Sequence, residues 1–582
     1  MNAFVESETL LAIDVGSVNT RASLFDVVDG RYRLVATGRA GSTAGAPLFD
    51  VGEGVRMAIE QLQAVTGRKL VDESESLIMP SSGASSGVDV FVATASAGPR
   101  ARTMLVGLMP GVSLESARRL ASSTYLDVAG ELWLLDGRRE EERLDLIVRT
   151  RPDLVLFVGG TDGGAAESVG RLASTLGLGL TLLPGAEKPQ VVYAGNQRLA
   201  AAITEKLGPV AEVTIASNVR PGLDAEDVGA VRQRLSEVVQ QVRSSRISGL
   251  EELRQWSGNH LMNSADGFGR VIRYLSTVYD SGKGVLGVDI GASQTTVAAG
   301  FSGDLQLHVR TDLGLGSAIT GVLRHASAAD VARWLPVPVA EPRVRDYIFN
   351  KALHPSAIPV QMEELHMEYA LAREVMRLAL ASARSTWPGD RARGRMPPLE
   401  PILASGGVLS RAPRPGYAAL AMLDGLQPTG VATLILDPHG LTPALGVAAG
   451  VVPLATVQAL DSGGFVSLGT VVAPVGHGRP GRPMLRLRLD REGGESTEGQ
   501  LRYGQLAVLP LRQGEFGKLT LRPERGFDVG FGGPGKAGVV RVSGGAVGVI
   551  LDGRGRPLDL TRDGGRFRDL VQKWLWDLGA LE

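Results

Sequence analysis

Two short segments, far apart in the chain, repeat one arrangement of residue types. The first runs from Asp14 to Arg21 (DVGSVNTR) and the second from Asp289 to Thr296 (DIGASQTT). Each has an aspartate at the end of an apolar strand, a glycine two residues later and small polar residues in the turn. The glycine lets a polyphosphate approach the backbone, turn N–H groups and hydroxyls can donate to its oxygens, and the aspartate can hold Mg²⁺ directly or through water. One copy is typical of an ordinary hairpin, whereas two copies predict a pair of phosphate-binding turns.

A third segment, residues 404–413 (ASGGVLSRAP), adds an element that a nucleotide site needs beside its phosphates. It is typical of a strand that ends in paired glycines, Gly406 and Gly407. A purine ring could lie against this stretch of backbone, because no side chain stands in its way. The three segments together predict a nucleotide site.

A glycine-rich turn follows the buried-strand run at 154–158 and precedes a predicted helix. In this arrangement backbone amides and a helix N-terminus can bind an anion. Two interpretations stay open: a plain βα turn with Asp162 as a local cap, or a ligand or partner contact at the carboxyl edge of an open α/β sheet. The residues of the turn are Gly159, Gly160, Thr161, Asp162, Gly163 and Gly164.

Two other candidate sites fail on their chemistry. The segment 530–537 (GFGGPGKA) comes close to a G-x-x-x-x-G-K-[ST] phosphate loop, but Ala537 lacks the hydroxyl that holds Mg²⁺ and the surrounding sequence is β-rich. His354, His366 and His439 are scattered and lack the spacing of metal ligands.

The elements that must position these motifs predict an α/β protein of several parts. Residues 9–38 are typical of a β-meander around the first turn, and 285–302 repeat the strand–turn–strand pattern. From about 88 to 220 short apolar runs alternate with helical stretches, which favours a parallel, doubly wound unit. The predicted parts are a first lobe at 1–87, an inserted α/β unit at 88–222, a helical connection at 223–284, a second lobe at 285–455 and a separate C-terminal β-rich domain at 461–582.

Composition excludes several classes of protein. The 582 residues include no cysteine, so there is no disulfide, thiolate metal site or cysteine nucleophile. A net charge of −1 provides no global field that would attract nucleic acid or an anionic membrane. The N-terminus carries acidic residues before its short apolar run and does not resemble a secretory signal, so a cytoplasmic protein is expected. Glycines and prolines interrupt the uncharged stretch 438–460, which predicts a buried helix rather than a membrane span.

The three motifs, in this order, resemble the superfamily of actin, sugar kinases and the seventy-kilodalton heat-shock chaperones. The resemblance implies a two-lobed, ribonuclease H-like α/β fold whose related lobes face one ATP, with Mg²⁺ as the second cofactor. Asp14 and Asp289 would be the catalytic and metal-holding carboxylates, and Gly446 and Gly450 resemble a glycine-bearing helix that crosses between the lobes. The nucleotide-binding residues implied in this way are Gly16, Ser17, Asn19, Thr20, Arg21, Gly291, Ala292, Ser293, Gln294, Thr295, Gly406 and Gly407.

Over roughly residues 9–455 the chain resembles, more narrowly, the glutamate mutase L family, which is unrelated to the mismatch-repair protein of the same abbreviation. Segments 154–164 and 191–196 belong to that pattern as well. The family is encoded beside adenosylcobalamin-dependent carbon-skeleton mutases and is thought to act as their ATP-dependent chaperone or reactivating factor. The resemblance therefore implies a protein client, a cobalamin-dependent mutase of the glutamate mutase type, and no nucleic acid or membrane partner. A homodimer stays open.

Two positions depart from the family's pattern. Thr296 stands where a second aspartate usually closes the second phosphate loop, and Ala292 replaces a usual glycine. The resemblance thus implies nucleotide binding with slow or absent turnover, and a weak ATPase activity stays open. The alternatives are a scaffold that binds nucleotide without turnover and a small-molecule kinase, for which the sequence offers no convincing base.

Overall fold

The computed structural model describes residues 9–185, 188–387, 396–560 and 564–581. Residues 1–8, half of the N-terminal segment interpreted above, lie outside that set. The first part of the chain forms β1 (Leu10–Val15), β2 (Asn19–Val28), β3 (Arg31–Gly41), α1 (Val51–Thr66) and β4 (Val90–Ala95). The inserted part forms β5 (Ala101–Gly107), α2 (Ser113–Ala121), β6 (Leu126–Trp133), α3 (Glu140–Thr150), β7 (Leu154–Phe157), α4 (Ala166–Thr181), β8 (Gln190–Tyr193), α5 (Ala200–Leu207) and β9 (Glu212–Ile215).

The chain then returns to the first lobe and continues into the second. The connection holds α6 (Val228–Ser244), α7 (Leu250–Trp256), β10 (Leu261–Asn263) and α8 (Ser264–Val278). The second lobe holds β11 (Gly284–Ile290), β12 (Thr295–Phe301), β13 (Asp304–Arg310), α9 (Val322–His325), α10 (Ala328–Ala332), α11 (Glu341–Leu353), α12 (Met362–Ala383), β14 (Leu399–Ser405), α13 (Gly407–Ser410), α14 (Pro415–Gly425), β15 (Gly430–Leu436), α15 (Thr442–Ala448) and α16 (Pro453–Asp461). The last part holds β16 (Val466–Ala473), β17 (Pro483–Arg491), β18 (Ser496–Arg502), β19 (Leu506–Leu509), β20 (Phe516–Pro523), β21 (Gly538–Ser543), β22 (Val549–Asp552) and α17 (Gly564–Asp577).

The sheets of the two lobes share one strand order. In the first lobe β1, β2 and β3 form an antiparallel meander, and β4 and β10 continue the sheet in parallel beyond β1, giving the order β10-β4-β1-β2-β3. In the second lobe β11, β12 and β13 form the matching antiparallel meander, and β14 and β15 continue the sheet in parallel beyond β11. Read from the other end, the order β13-β12-β11-β14-β15 is therefore the same. All six residues of β1 are buried because helices cover both faces of its sheet. The meander predicted at 9–38 is therefore confirmed, together with its repeat.

The first lobe takes in strands from beyond its expected range. β4 lies within the range predicted for the inserted unit, yet it pairs with β1. β10 lies within the predicted helical connection, yet it pairs with β4. Between them β6-β5-β7-β8-β9 forms a wholly parallel sheet of its own, as the alternating pattern predicted. Strand pairing thus starts the inserted unit after β4 and returns the chain to the first lobe at β10.

Two helices are exchanged between the lobes. α8 follows the first-lobe strand β10 but packs on β11, β12 and β13, whereas α15 follows the second-lobe strand β15 but packs on β1 and β4. The helices cross where Gly267 meets Gly446: a Cβ on Gly446 would lie 1.9 Å from the carbonyl oxygen of Gly267. The stretch 438–460 is therefore a turn and two short helices, α15 and α16, with α15 wholly buried. Within the described residues, no helix is long and apolar enough to cross a membrane.

The C-terminal part is not a separate β domain, contrary to the prediction for 461–582. β16 pairs with β15, and β22 and β19 follow it, so the sheet of the second lobe grows to eight strands. β18-β17-β20-β21 forms a second sheet, and α17 packs against α14 in the core of the second lobe. The sequence pattern predicted a β-rich region here but could not show that β16 covers the free edge of β15, since pairing between strands leaves no periodic signal.

Candidate functional site

The two aspartate-bearing hairpins have the same turn. In the first, the N–H of Gly16 donates to the carbonyl oxygen of Asn19 at 2.9 Å; in the second, the N–H of Gly291 donates to the carbonyl oxygen of Gln294, also at 2.9 Å. A Cβ on either glycine would approach that carbonyl to 2.8 or 3.0 Å, so the turn closes tightly only around a residue without a side chain. The sequence repeat thus corresponds to a structural repeat.

Neighbouring strands place equivalent residues around the two aspartates. Asp14 stands opposite Arg21 on β2 and Thr94 on β4. Thr94 Oγ1 donates to Asp14 Oδ1 at 2.8 Å, and Ser264 Oγ, at the start of α8, donates to the same oxygen at 2.9 Å. Arg21 Nη1 lies 3.5 Å from Asp14 Oδ2. The first carboxylate is therefore held by three different elements.

Asp289 occupies the matching place in the second lobe. It stands opposite Thr296 on β12 and Ser405 on β14. Burial raises the pKa of Asp289 to about 6; the charge of Arg21 works against this rise, and the charge of Asp14 adds to it. Arg21 and Asp14 belong to the other lobe, and Gln294 of the second turn donates to the carbonyl oxygen of Ser96 in that lobe, so the two hairpins lie close together between the lobes.

Four further residues lie beside the same turns: Arg39, Arg411, Asp437 and His439, of which the sequence singled out only His439, as a rejected metal ligand. Arg39 Nη2 donates to the carbonyl oxygen of Pro438 at 3.3 Å, which joins β3 to the loop after β15. Burial, followed by the charges of Arg21 and Arg411, lowers the pKa of Arg39. Asp437 and His439 lie in that loop, and burial lowers the pKa of His439. The cleft therefore gathers positive charge from both lobes beside its carboxylates.

Asp437 also orients a crossing helix. Its carboxylate accepts hydrogen bonds from the N–H of Leu441 at 3.0 Å and from the N–H and Oγ1 of Thr442 at 2.8 and 2.6 Å. It thereby satisfies the first N–H groups of α15. A sequence signal for it existed, because Asp437 directly follows the apolar strand β15, much as Asp14 and Asp289 lie at the ends of theirs.

The paired glycines lie directly beside the second hairpin. Gly406 has φ +117°, and a Cβ there would stand 2.3 Å from the carbonyl oxygen of Ile290, so the strand β14 can end here only in glycine. At Gly407, the first residue of α13, a Cβ would meet nothing within 4 Å. An open, side-chain-free surface therefore adjoins the second phosphate-type turn.

Not every predicted phosphate ligand faces the cleft. Thr20 and Thr295 are fully buried. Thr20 packs against Gly54 of α1, and Thr295 Oγ1 donates to the carbonyl oxygen of Leu313 at 2.9 Å. Their hydroxyls point into the lobes, because alternation along a strand turns these residues away from the turn. Ser17 and Asn19 are half-buried within the first turn.

The second turn reaches the first lobe. Gln294 Nε2 donates to the carbonyl oxygen of Ser96 at 3.3 Å, and the carbonyl oxygen of Ser293 accepts from Arg100 Nη2 at 3.0 Å. The carbonyl oxygen of Ala292 accepts from the N–H of Gly316 at 2.9 Å, so a second-lobe loop covers the turn from its own side. The turn thus forms part of the contact between the lobes.

The glycine-rich turn at 159–164 lies apart, at the carboxyl edge of the inserted sheet. Two buried asparagines hold it: Asn196 Nδ2 donates to the carbonyl oxygen of Gly164 at 2.8 Å, and Asn218 Nδ2 donates to Asp162 Oδ1 at 2.9 Å. Asp162 also accepts from the N–H of Gln197 at 3.1 Å. It does not cap α4, whose start has no side-chain cap; it accepts its hydrogen bond instead from the first N–H of the short helical turn that begins at Gln197. A ligand or partner role for the turn stays a prediction.

A metal ion could enter this cleft only together with other ligands. The part of the chain that the structure describes contains no group of three or more His, Cys, Asp or Glu side chains able to hold one. Asp14 and Asp289 supply two carboxylates to the site, fewer ligands than a divalent ion takes up. The residues therefore fit a divalent ion that arrives with phosphate oxygens and water, as Mg²⁺ usually does.

Two lobes of one strand order, two exchanged helices and a facing pair of aspartate hairpins define the class: the two-lobed, ribonuclease H-like fold of the actin-like ATPases, here with an inserted doubly wound α/β unit and a C-terminal β-rich part. The motifs pointed to one family within this class. The chain belongs to it: the model of the MutL protein family matches residues 10–462. The resemblance stated from the sequence is confirmed.

Solved structures give weaker likenesses. A diol dehydratase-reactivating factor in nucleotide-free form is 11% identical over 77% of this chain and 100% of its own, with a TM-score of 0.31. A glycerol dehydratase reactivase is 12% identical over 76% and 99%, with a TM-score of 0.30. Xylulose kinase from Bifidobacterium adolescentis is 12% identical over 79% and 94%, with a TM-score of 0.27. Structural similarities this weak say nothing about the activity of this protein. No curated protein matches the sequence.

Proposed function

We propose that the cleft between the hairpins binds ATP with Mg²⁺. The observation that carries this proposal is the convergence of Asp14 and Asp289, from two repeated hairpins, on one cleft that also contains Arg21. The turns at Gly16 and Gly291 would offer backbone N–H groups to the phosphates. The bare backbone at Gly406 and Gly407 would lie beside the adenosine.

In this proposal the chain's own residues bind and orient rather than transfer groups. Asp14 and Asp289 would hold Mg²⁺, directly or through water, and the ion would neutralise phosphate charge when bound. Arg21, which pairs with Asp14, would turn toward the phosphates. Because the two turns belong to different lobes, a ligand that contacts both favours the closed arrangement, and loss of the γ-phosphate removes one of those contacts.

We further propose that this switch serves a protein client, as an ATP-dependent chaperone or reactivating factor for an adenosylcobalamin-dependent mutase of the glutamate mutase type. Membership of the MutL family supports this role. The exchanged helices α8 and α15 support it physically, since they would transmit closure of the cleft to both lobes. The cytoplasm, where such a mutase would be found, is the proposed location.

Hydrolysis is expected to be slow. Thr296 stands opposite Asp289 and is 3% exposed, so a carboxylate that could position water is missing from that place. Because this buried position carries a threonine and no carboxylate, a second candidate is a scaffold that binds nucleotide without turnover. Phosphate release from ATP, measured with and without the client, distinguishes the two. The client should stimulate hydrolysis by a reactivating factor but not by a scaffold.

The first prediction concerns nucleotide binding. D14A and D289A should each weaken the affinity for ATP·Mg²⁺ at least about tenfold, the loss expected when one metal-holding carboxylate is removed, while far-ultraviolet circular dichroism stays unchanged. Titration calorimetry measures the affinity. D145A, at an exposed site on α3, is the matched control. Unchanged affinity in both cleft variants would refute the shared site.

The second prediction concerns the client. A glutamate mutase inactivated during turnover should regain activity when the protein, ATP, Mg²⁺ and fresh adenosylcobalamin are added together, and should stay inactive when D289A replaces the wild type. Mutase activity is the readout. Recovery that does not need ATP, or no recovery despite tight ATP binding, would contradict the chaperone role while leaving the nucleotide site intact.

A further inference from the structure

A large groove lies alongside α8, away from the hairpins. Its volume is about 1290 Å³, and it is lined by α6, α8, the 449–457 segment and neighbouring residues. Small-molecule sites usually occupy about 300–1,000 Å³. The groove is open, and most of its polar wall residues are exposed, so its size and shape suit a chain segment better than an enclosed metabolite.

The groove carries positive charge without matching carboxylates. Arg232, Arg270 and Arg273 line it, and among the described residues none of the three forms an ion pair. Burial lowers the pKa of both Arg232 and Arg270, and the charge of Arg273 lowers it further in each case. Arg270 and Arg273 are three residues apart on α8 and therefore share one face of the helix, and Arg232 on α6 lines the same groove.

The acids of the groove do not compensate for these charges. Glu251 forms an ion pair with Arg254, with 2.6 Å between Oε1 and Nη2. Glu237 forms an ion pair with Arg234, which lies outside the groove, with 2.7 Å between Oε2 and Nη1. Asp266 remains facing the arginines, and Ser236 donates a hydrogen bond to it. Asp266, together with Asp304 near Arg232, offsets the three arginines only in part, which leaves the groove with an excess of positive charge.

Apolar side chains complete the groove. Tyr274 on α8 and Val457 on α16 are 36% and 37% exposed and line it beside the arginines. An exposed apolar side chain next to unpaired cations matches a partner surface that has both apolar and acidic residues. Inorganic phosphate would use only the cations and would leave this apolar part uncovered.

Two of the arginines donate to backbone carbonyls of elements that come later in the chain. Arg232 Nη1 donates to the carbonyl oxygen of Leu305 on β13, and Arg270 Nη1 donates to the carbonyl oxygen of Gly446 on α15, both at 3.5 Å. Both bonds lie at the long limit for a hydrogen bond. A carboxylate in the groove would draw the guanidinium groups away from these carbonyls. Occupancy would therefore alter contacts at the crossing of α8 and α15.

The same helix reaches the nucleotide cleft. α8 begins at Ser264, which donates to Asp14, and runs along the groove as far as Arg273. These two positions are about 14 Å apart along the helix axis at 1.5 Å per residue. One rigid element thus contacts both the cleft and the groove.

We propose that this groove docks an acidic, amphipathic segment of the client protein. The identification of the occupant as the client rests on the proposed function, whereas the charge and shape of the groove stand without it. Docking and nucleotide binding would be linked through α8, so that each changes the affinity for the other by the same factor.

A peptide assay tests the groove separately from the nucleotide site. The probe is a short fluorescein-labelled peptide of Glu, Leu and Ala with acidic and apolar faces, added to the full-length protein without nucleotide. Fluorescence anisotropy should show binding that weakens with salt. R273E should weaken it about tenfold or more, because like charges oppose each other across an interface. R171E, an equal charge change at an exposed site on α4, should leave it unchanged.

R270E checks the linkage. In the wild type, the peptide should shift the affinity for ATP·Mg²⁺, and this shift should shrink in R270E, which cannot donate to Gly446. Equal peptide affinities in R273E and R171E, or no binding at all, would overturn the docking site whatever the nucleotide does. Displacement of the peptide by inorganic tripolyphosphate alone would assign the groove to a small anion. Self-association that R273E abolishes would assign it to a second copy of the chain. Either result would overturn the docking proposal.

Discussion

At the scale of single residues, the cleft keeps an electrostatically unfavourable arrangement. Asp289 is desolvated between its two neighbouring strands and lies near the charges of Asp14 and Asp437, which the charge of Arg21 offsets only in part. A carboxylate in such surroundings costs folding free energy and holds its proton more tightly. Sites of this kind are often functional, because a bound cation or ligand relieves the cost.

This arrangement gives a prediction for the nucleotide-free protein. The pKa of Asp289 rises from 3.8 to about 6 on folding, so between these values the folded state binds more protons than the unfolded state. The free energy of unfolding should therefore fall as pH rises from about 4 to about 6. D289N removes that cost and should stabilise the protein at pH 7 by about 1–3 kcal/mol, and by much less at pH 4. Urea unfolding at both pH values measures this. A D289N variant less stable than the wild type at pH 7 would contradict it.

At the scale of elements, the crossing of α8 and α15 explains the small residues of the apolar stretch. Gly267 and Gly446 let two backbones meet without intervening side chains. Each helix is thereby seated on the sheet of the other lobe. Gly446 was expected to lie on a helix crossing between lobes; that its partner is Gly267 on α8 became visible only in the structure.

The close contact at this crossing predicts that one added methyl group lowers the free energy of unfolding. G446A places a Cβ where the carbonyl of Gly267 stands 1.9 Å away, so the helices must separate, at a cost of about 1–3 kcal/mol in the free energy of unfolding. The matched control is G450A, whose Cβ would have no neighbour nearer than 3.5 Å and should change stability by less than about 0.5 kcal/mol. Urea denaturation compares the two, and equal effects would contradict this account of the crossing.

At the scale of the whole molecule, the C-terminal part is joined to the second lobe by buried charge as well as by strands. Arg554 Nη1 lies 2.6 Å from Asp424 Oδ1 on α14, and its Nη2 lies 2.8 Å from Asp552 Oδ2. Arg373 on α12 binds the other oxygen of Asp424 at 2.7 Å. Burial alone would raise the pKa of Asp552, but Arg554 and Arg556 hold it well below its usual range. Residues from both parts thus form one network.

Breaking this network should destabilise the second lobe. R554M leaves Asp424 and Asp552 each short of a partner in a buried place, which costs about 3–5 kcal/mol when a buried pair loses one member. R488M removes an exposed ion pair with Asp490 in the C-terminal four-stranded sheet and should cost less than about 1 kcal/mol. Thermal unfolding followed by circular dichroism compares them. A small effect of R554M, or a separate transition for the C-terminal part, would show that this part folds independently.

The sequence by itself determined the local features of this protein. An aspartate at the end of an apolar strand with a glycine two residues later favours a tight turn, and alternating strand and helix patterns favour a parallel sheet, so both hairpins and the inserted unit could be predicted from residue order. These features depend on neighbours along the chain, which the sequence shows directly.

Only the tertiary structure decided which distant parts meet. It brought Arg39, Arg411 and Asp437 into the cleft, turned the hydroxyls of Thr20 and Thr295 away from it, returned β10 to the first sheet and joined the C-terminal strands to the second. The reason is physical: strand pairing, helix exchange and desolvated charge depend on contacts between residues hundreds of positions apart, and such contacts leave no periodic trace in one sequence.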